Sequence, residues 1–187
     1  MSLVEFPDTI PANRLTLRRL ALADAPALFE VFSHTEVMRY WSSLPQTNIA
    51  QTQQMVERIQ EGYRYGRFLQ LGLERHSDQA LMGTCTLYAI HPQSRRAEIG
   101  YILGRPYWNS GYMNEALQAL IRYAFGELRL NRLEADIDPR NLASQKTLER
   151  LGFQKEGYMR ERWTVGEEVS DSALYGLLRR EWTGGSI

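Results

Sequence analysis

Cysteine is almost absent: Cys85 is the single one in 187 residues. A lone thiol closes no internal disulfide, which suits a reducing compartment and leaves the fold to packing and hydrogen bonding. Histidine is scarce as well. His34, His76 and His91 show no metal-ligand spacing, so no metal is expected. Neither sign of charge is in excess, since 22 basic residues balance 22 acidic ones. No overall attraction to nucleic acid or to an anionic membrane follows, and neither is expected as a direct partner. No apolar run approaches the roughly 20 residues of a membrane-spanning helix. The opening segment, Met1 to Ile10, carries Glu5 and Asp8 and breaks at Pro7, with Pro11 close behind. It lacks the basic start and apolar run of a signal peptide, and the cytoplasm is the expected location. Repeats, low-complexity tracts and linkers are missing too. One domain over residues 1–187 is therefore expected, with its core at about 14–182. A chain 43% hydrophobic and 24% charged is of ordinary globular composition, and this length buries a sizeable core unaided.

What is present is a succession of strand and helix patterns. Arg14 to Leu20 reads as a strand with Leu15, Leu17 and Arg19 on one face. Asp24 is the predicted cap of a helix to about Phe32, with Pro26 in its first turn, where a missing N–H costs little. Thr47 is the predicted cap of a second helix to about Tyr63, striped by Met55, Val56 and Ile59. Arg67 to Glu74 alternates as a strand, Leu81 to Ile90 is a second one, rich in Thr and aliphatics, and Ala97 to Leu103 is a third; together they read as an antiparallel meander. The loop Gly104 to Gly111 leads into a helix from about Tyr112 to Gly126, striped by Met113, Ala116, Leu117, Leu120, Ile121 and Ala124. Arg132 to Asp138 is a strand, and Asn141 caps a short helix that ends at Gly152. Phe153 to Val165 and Glu168 to Leu178 form a closing strand pair that turns at Gly166. This order defines an α+β fold. The helix between Leu103 and Arg132 can serve as a crossover, so its two flanking strands pair in parallel.

The stretch from Glu98 to Leu117 is the most informative: a strand ends, a short loop follows, and a helix starts at a glycine. The first N–H groups of a helix have no partner within it and carry part of its dipole, which makes an anion site suited to a diphosphate. Gly111 lets the backbone approach, having no Cβ. A glycine before a helix also serves plain packing, so the loop alone decides little. It is neither a Rossmann loop nor a Walker loop, lacking the glycine triplet of the one and the Gly-Lys-Ser/Thr of the other.

A second stretch, Asp138 to Phe153, joins a strand end, a capped helix and a glycine stop. With it the chain resembles the GCN5-related N-acetyltransferases (GNAT), and within them the RimJ/RimL-like group that acetylates ribosomal-protein N-termini. The residues that carry the resemblance are Ala97-Glu98-Ile99-Gly100-Tyr101, then Tyr107-Trp108 with Gly111-Tyr112 and Glu115-Ala116, then Asn141 with Ser144 and Leu148 to Phe153. Asp171, Tyr175 and Glu181-Trp182 also fit, so the match runs from about Arg14 to Trp182. The resemblance implies a mixed, mostly antiparallel central sheet flanked by about four helices. The sheet would splay between its fourth and fifth strands, Ala97–Leu103 and Arg132–Asp138. Acetyl-CoA would lie in the splay, its diphosphate on the amides of Asn109, Ser110, Gly111, Tyr112, Met113 and Asn114. Its pantetheine would run along the backbone of Tyr101, Ile102 and Leu103 like an added strand. Asn141 combines helix capping with a place at the cofactor. Two positions depart from the family pattern: Met113 stands where a Gly or Ala is usual, and Asn109 where Gly is frequent.

A thioester is already activated, so the enzyme has to place a neutral amine, stabilise the oxyanion, take a proton from nitrogen and shelter the leaving thiolate. Glu98 is the candidate base, directly or through water, on the strand face shared with Gly100 and Ile102. Its bland alternative is a salt bridge to Arg95 or Arg96. Ser144 is the candidate donor to the thiolate, as the RimJ/RimL-like group has a serine there. The bland alternative is the residue whose N–H the Asn141 cap accepts. The tyrosine that many relatives use as acid is replaced by Leu148. Tyr112 and Tyr158 are weaker acid candidates, and Cys85 reads as a core thiol. Trp41, Tyr40, Tyr63, Tyr65, Tyr88 and Trp163 are candidates to line an acceptor cleft. The acceptor is a primary amine, with a protein N-terminal α-amine favoured by the resemblance. Small amines (antibiotic, polyamine or amino acid) and a non-catalytic acyl-CoA sensor stay open, as does a homodimer.

Overall fold

A computed structural model describes residues 6–66 and 68–184. Its centre is one sheet of eight strands: β1 (Thr9–Pro11), β2 (Leu15–Arg19), β3 (Leu69–Arg75), β4 (Leu81–His91), β5 (Arg96–Leu103), β6 (Arg132–Ile137), β7 (Gln154–Val165) and β8 (Glu168–Leu178). The spatial order is β1-β2-β3-β4-β5-β6-β8-β7. All neighbours are antiparallel except β5 and β6. Four α-helices flank it: α1 (Ala25–Phe32), α2 (Ile49–Tyr65), α3 (Tyr112–Gly126) and α4 (Leu142–Arg150). The parallel pair follows from α3, the crossover that returns the chain to the same end of the sheet. The expected α+β architecture is thus present, with an additional first strand.

That extra strand, β1, lies between Pro7 and Pro11, which hide it from propensity; as an edge strand it tolerates the missing N–H. The Arg67 start expected for the second strand and Met1–Glu5 of the opening segment lie outside the described residues. Two predicted caps are corrected. Asp24 ends a 3-10 turn, Leu22–Asp24, and caps nothing at α1. Its carboxylate instead accepts from the Ala21 amide at 2.8 Å and forms a two-pronged pair with the Arg18 guanidinium, a stronger partner than a neutral amide. Asn48, not Thr47, caps α2, accepting the Gln51 amide at 3.2 Å. The helix runs on to Tyr65 and stops at Gly66, whose φ of 60° is left-handed.

Two apolar cores lie on opposite sides of the sheet. The larger gathers the α3 stripe and Leu148 of α4 with Leu71, Leu87, Ile99, Leu133 and Leu177. The smaller gathers Leu28 of α1 and Val56 and Ile59 of α2 with Ile102. Alternation therefore sends Ile99 of β5 to the α3 side and Ile102 to the α1 and α2 side. Cys85 is fully buried and desolvation pushes its thiol up, so it is an inert core group. No helix among the described residues is long and apolar enough to cross a membrane.

Glycine is required at one sheet position that bears on the site. A Cβ on Gly83 of β4 would stand 2.2 Å from the Ile102 carbonyl oxygen and 2.9 Å from the Leu103 Cα. Both obstacles are backbone, so Gly83→Ala has to push β5 away. The expected loss is about 1–3 kcal/mol, a fall of roughly 3–10 °C in Tm. A melting curve that matches the unsubstituted protein contradicts this close approach.

Candidate active site

The site begins where a ladder stops. Strands β5 and β6 pair at Arg96↔Arg132, Ala97↔Leu133 and Glu98↔Glu134, and no further. Beyond Glu98 the strands part. The Arg95 carbonyl accepts from Arg132 on the β6 side. By alternation the peptide groups of Ala97, Ile99, Tyr101 and Leu103 face the same way, and those of Ile102 and Gly104 face β4. The Gly104 amide does reach Met82 of β4, at 2.8 Å. One gap-facing group is occupied: the Leu103 carbonyl accepts from the Trp108 indole at 2.7 Å. The Ile99 amide closes the ladder on the Glu134 carbonyl, so the Ile99 carbonyl, the peptide groups of Tyr101 and the Leu103 amide remain along the open edge.

Past Leu103 the chain makes a 3-10 turn, Arg105–Tyr107, and reaches α3 through two left-handed residues, Asn109 at φ 58° and Gly111 at φ 79°. Gly111 is the N-cap of α3 and no side chain caps that end. The first i→i+4 bond runs from the Glu115 amide to the Gly111 carbonyl, so the amides of Tyr112, Met113 and Asn114 precede the ladder. Met113 packs its side chain on the larger core, away from those amides. Ser110 turns its hydroxyl to the Trp108 carbonyl at 3.2 Å. Glu115, an acid in the first turn, would repel an anion here, but Arg14 neutralises it through a 2.7 Å pair. The same guanidinium bonds the Ser110 carbonyl at 3.1 Å and stacks over Tyr112, 4.5 Å from the ring centroid. Sequence pattern cannot reveal Arg14 as a brace for this loop, because it lies 101 residues from Glu115.

At the other end of the gap a cavity of about 600 Å³ opens between β5, β6 and α4, lined among others by Glu98, Tyr101, Asn141 and Ser144. Asn141 caps α4, accepting the Ser144 amide at 3.1 Å. Ser144 is 8% exposed, and its Oγ lies 2.6 Å from the Tyr101 hydroxyl. Glu98 has no basic partner among the described ion pairs. Arg96 pairs with Glu134 instead, at 2.8 Å, so the salt-bridge alternative is not what the fold makes. Across from Glu98 on β4 stands Tyr88, whose phenol is pushed up by burial first and then by the charge of Glu98.

A family model for an acetyltransferase (GNAT) domain matches residues 14–154. The uncharacterized N-acetyltransferase p20 of Bacillus licheniformis is 37% identical over 177 residues, covering 95% of this chain and 99% of that protein. The [ribosomal protein uS5]-alanine N-acetyltransferase of Escherichia coli (strain K12) is 31% identical over 128 residues, 68% of this chain and 66% of that one. The crystal structure of a GNAT-family acetyltransferase from Bacillus anthracis superposes with a TM-score of 0.82 at 28% identity, covering 92% of this chain and 99% of that one. The chain belongs to the GNAT acetyltransferase family. It is an N-acetyltransferase of the GNAT type, of the RimJ/RimL-like group, and its parted sheet is the GNAT fold.

Of the aromatics expected along the GNAT acceptor cleft, Tyr40, Trp41, Tyr88 and Trp163 line the cavity. Tyr63 does not: its hydroxyl takes the Leu20 amide and donates to the Gln70 carbonyl, and burial pushes the phenol up to about 12. Tyr65 lies at the exposed end of α2. The two weaker acid candidates are also elsewhere. Tyr112 lies under Arg14, and Tyr158 is exposed on β7, donating to Asp171. Of the histidines, His76 in a turn bonds Thr16, and His91 at the end of β4 accepts the Ser94 amide.

Sequence reading passed over Asp136, two residues after Glu134 on β6 and therefore on its face. It lines the same cavity; one carboxylate oxygen, Oδ1, is buried without a hydrogen-bond partner, and Oδ2 accepts the Trp163 indole at 3.4 Å. At the rim, Arg140 pairs with Asp138 and with Glu168, which also takes Arg39. Burial works to raise the Asp138 carboxyl, but Arg140 outweighs it and holds the group below its ordinary range.

Proposed function

We propose that this GNAT enzyme moves the acetyl group of acetyl-CoA to a primary amine by direct attack in a ternary complex, and that the acceptor is a protein N-terminal α-amine. One observation carries the reading: the β5–β6 ladder ends at Glu98, leaving an open strand edge between an uncapped helix N-terminus and a cavity that holds Glu98 and Ser144. The amides of Asn109 to Asn114 suit the diphosphate. The open edge at Tyr101 and Leu103 suits the pantetheine amides, while the peptide of Ile102 faces β4. Asn141 sets the start of α4 beside the thioester.

The amine nitrogen attacks the thioester carbonyl carbon and the C–S bond breaks. The nitrogen's surplus proton passes to Glu98, directly or through one water. The sulfur leaves as thiolate and receives a hydrogen bond from Ser144. Cys85 forms no covalent intermediate, because it is sealed in the core. A peptide acceptor is supported by the relative named for acetylating a ribosomal-protein alanine. A small amine is the second reading, favoured by Tyr88, Trp163 and the Asp136 carboxylate, whose Oδ2 pairs with Arg162 at 3.7 Å while Oδ1 has no hydrogen-bond partner.

The test is CoA release from acetyl-CoA with a panel of N-terminal peptides and small amines, the product located by mass spectrometry. Acetylation of peptide α-nitrogens is expected. Turnover confined to small amines moves the assignment to the second reading. Tight acetyl-CoA binding with no turnover on any amine leaves a sensor.

A further inference from the structure

We infer that the Tyr101 phenol is a positioning residue, which fixes the direction in which Ser144 offers its proton to the departing sulfur. The inference rests on the reading of Ser144 given above. Tyr101 comes from β5 and Ser144 from the first turn of α4, 43 residues later. Their hydroxyl oxygens are 2.6 Å apart, a strong hydrogen bond, whereas the Ser144 carbonyl is 3.4 Å from the same phenol. Both side chains line the cavity.

A phenol is a stronger acid than an alcohol, so Tyr101 donates and Ser144 accepts. Desolvation raises the Tyr101 phenol well above its ordinary value, so it keeps its proton at any working pH. Ser144 has one proton of its own. With the phenol on its oxygen, that proton turns away from Tyr101 and into the cavity. A serine in a first helical turn, released from such a partner, has another choice, the carbonyl of the cap residue Asn141 three positions back. No proton crosses between Tyr101 and Ser144 in the reaction. The C–S bond breaks, the electron pair stays on sulfur, and Ser144 meets that charge with a hydrogen bond aimed beforehand, which is where such donors are most effective.

A double-mutant cycle in kcat tests this on the whole chain with acetyl-CoA and the best amine of the panel. Ser144→Ala is expected to lower kcat about 100-fold, the lower end of the range for removal of one aimed donor. Tyr101→Phe is expected to lower it about 5–10-fold with the KM for acetyl-CoA within about twofold, and the double variant should match Ser144→Ala alone. A merely structural bond would lower Tm and leave the cycle additive. Should the Phe variant fail to fold, 4-methylphenylalanine at 101 keeps the volume without the donor and should be slow. 4-Aminophenylalanine keeps a donor and should retain rate. Normal kcat for Tyr101→Phe beside a slow Ser144→Ala overturns the inference and spares the role of Ser144. Multiplicative losses overturn it as well. Normal kcat for Ser144→Ala overturns the underlying reading first.

Discussion

Gly111→Asp is expected to abolish acetyl-CoA binding, with Kd raised more than about 100-fold, or ~2.7 kcal/mol. Gly111 holds φ at 79°, where an L-residue is strained by roughly 1–2 kcal/mol. A Cβ there would sit 3.4 Å from a terminal nitrogen of Arg14. An aspartate adds a carboxylate in front of the uncapped amides of α3, where it repels a diphosphate and competes for the same donors. It also draws on Arg14, which now neutralises Glu115. Gly111→Ala imposes the same backbone strain without the charge and is expected to weaken binding less than about 10-fold. Calorimetry with acetyl-CoA measures both. Equal affinity of the Asp variant and the unsubstituted protein would remove the diphosphate from this helix end.

Glu98→Gln is expected to lower kcat about 100-fold, the lower range for loss of a positioned base, with acetyl-CoA affinity unchanged. Glutamine keeps the shape and a hydrogen-bonding oxygen but is not basic. Stability should hold, because Glu98 takes no part in the described ion pairs of its neighbours; Arg96 has Glu134, and Arg132 has Glu134 and Glu156. Single-turnover rates with saturating peptide separate the chemical step from product release. Unaltered kcat would return Glu98 to a structural carboxylate at the end of the β5–β6 ladder, and Asp136 would become the next group to test.

Much of the fold could be read locally because its signals are local. The meander before the loop shows as short apolar and Thr-rich runs bounded by polar turns, α3 as a period of 3.6, and Asn141 caps α4 as its spacing suggests. Errors arose where a neighbour outside the window competes. Asp24 looks like a cap, but Arg18 claims its carboxylate. Thr47 and Asn48 are both competent caps, and only the chain's path decides between them. β1 was passed over because two prolines frame it.

The site divides the same way. The loop proposed for the cofactor and the Asn141–Ser144 turn are each contiguous, so motif spacing exposes them together with the family they resemble. The resemblance extends to a parted sheet but not to the contacts that would make it work. That Arg14 neutralises Glu115, that the Trp108 indole takes one carbonyl of the open edge, and that Asp136 shares a cavity with Glu98 are facts of packing. So is the meeting of Tyr101 and Ser144.

Most element types, the three-strand meander, the glycine-led loop before α3 and the acetyltransferase resemblance all follow from residues close together in the chain. The end of the β5–β6 ladder, the cavity beyond it and the groups that face one another across it were decided in three dimensions. The physical reason is that a side chain's partner is set by distance and burial, and folding brings those partners from positions dozens of residues away.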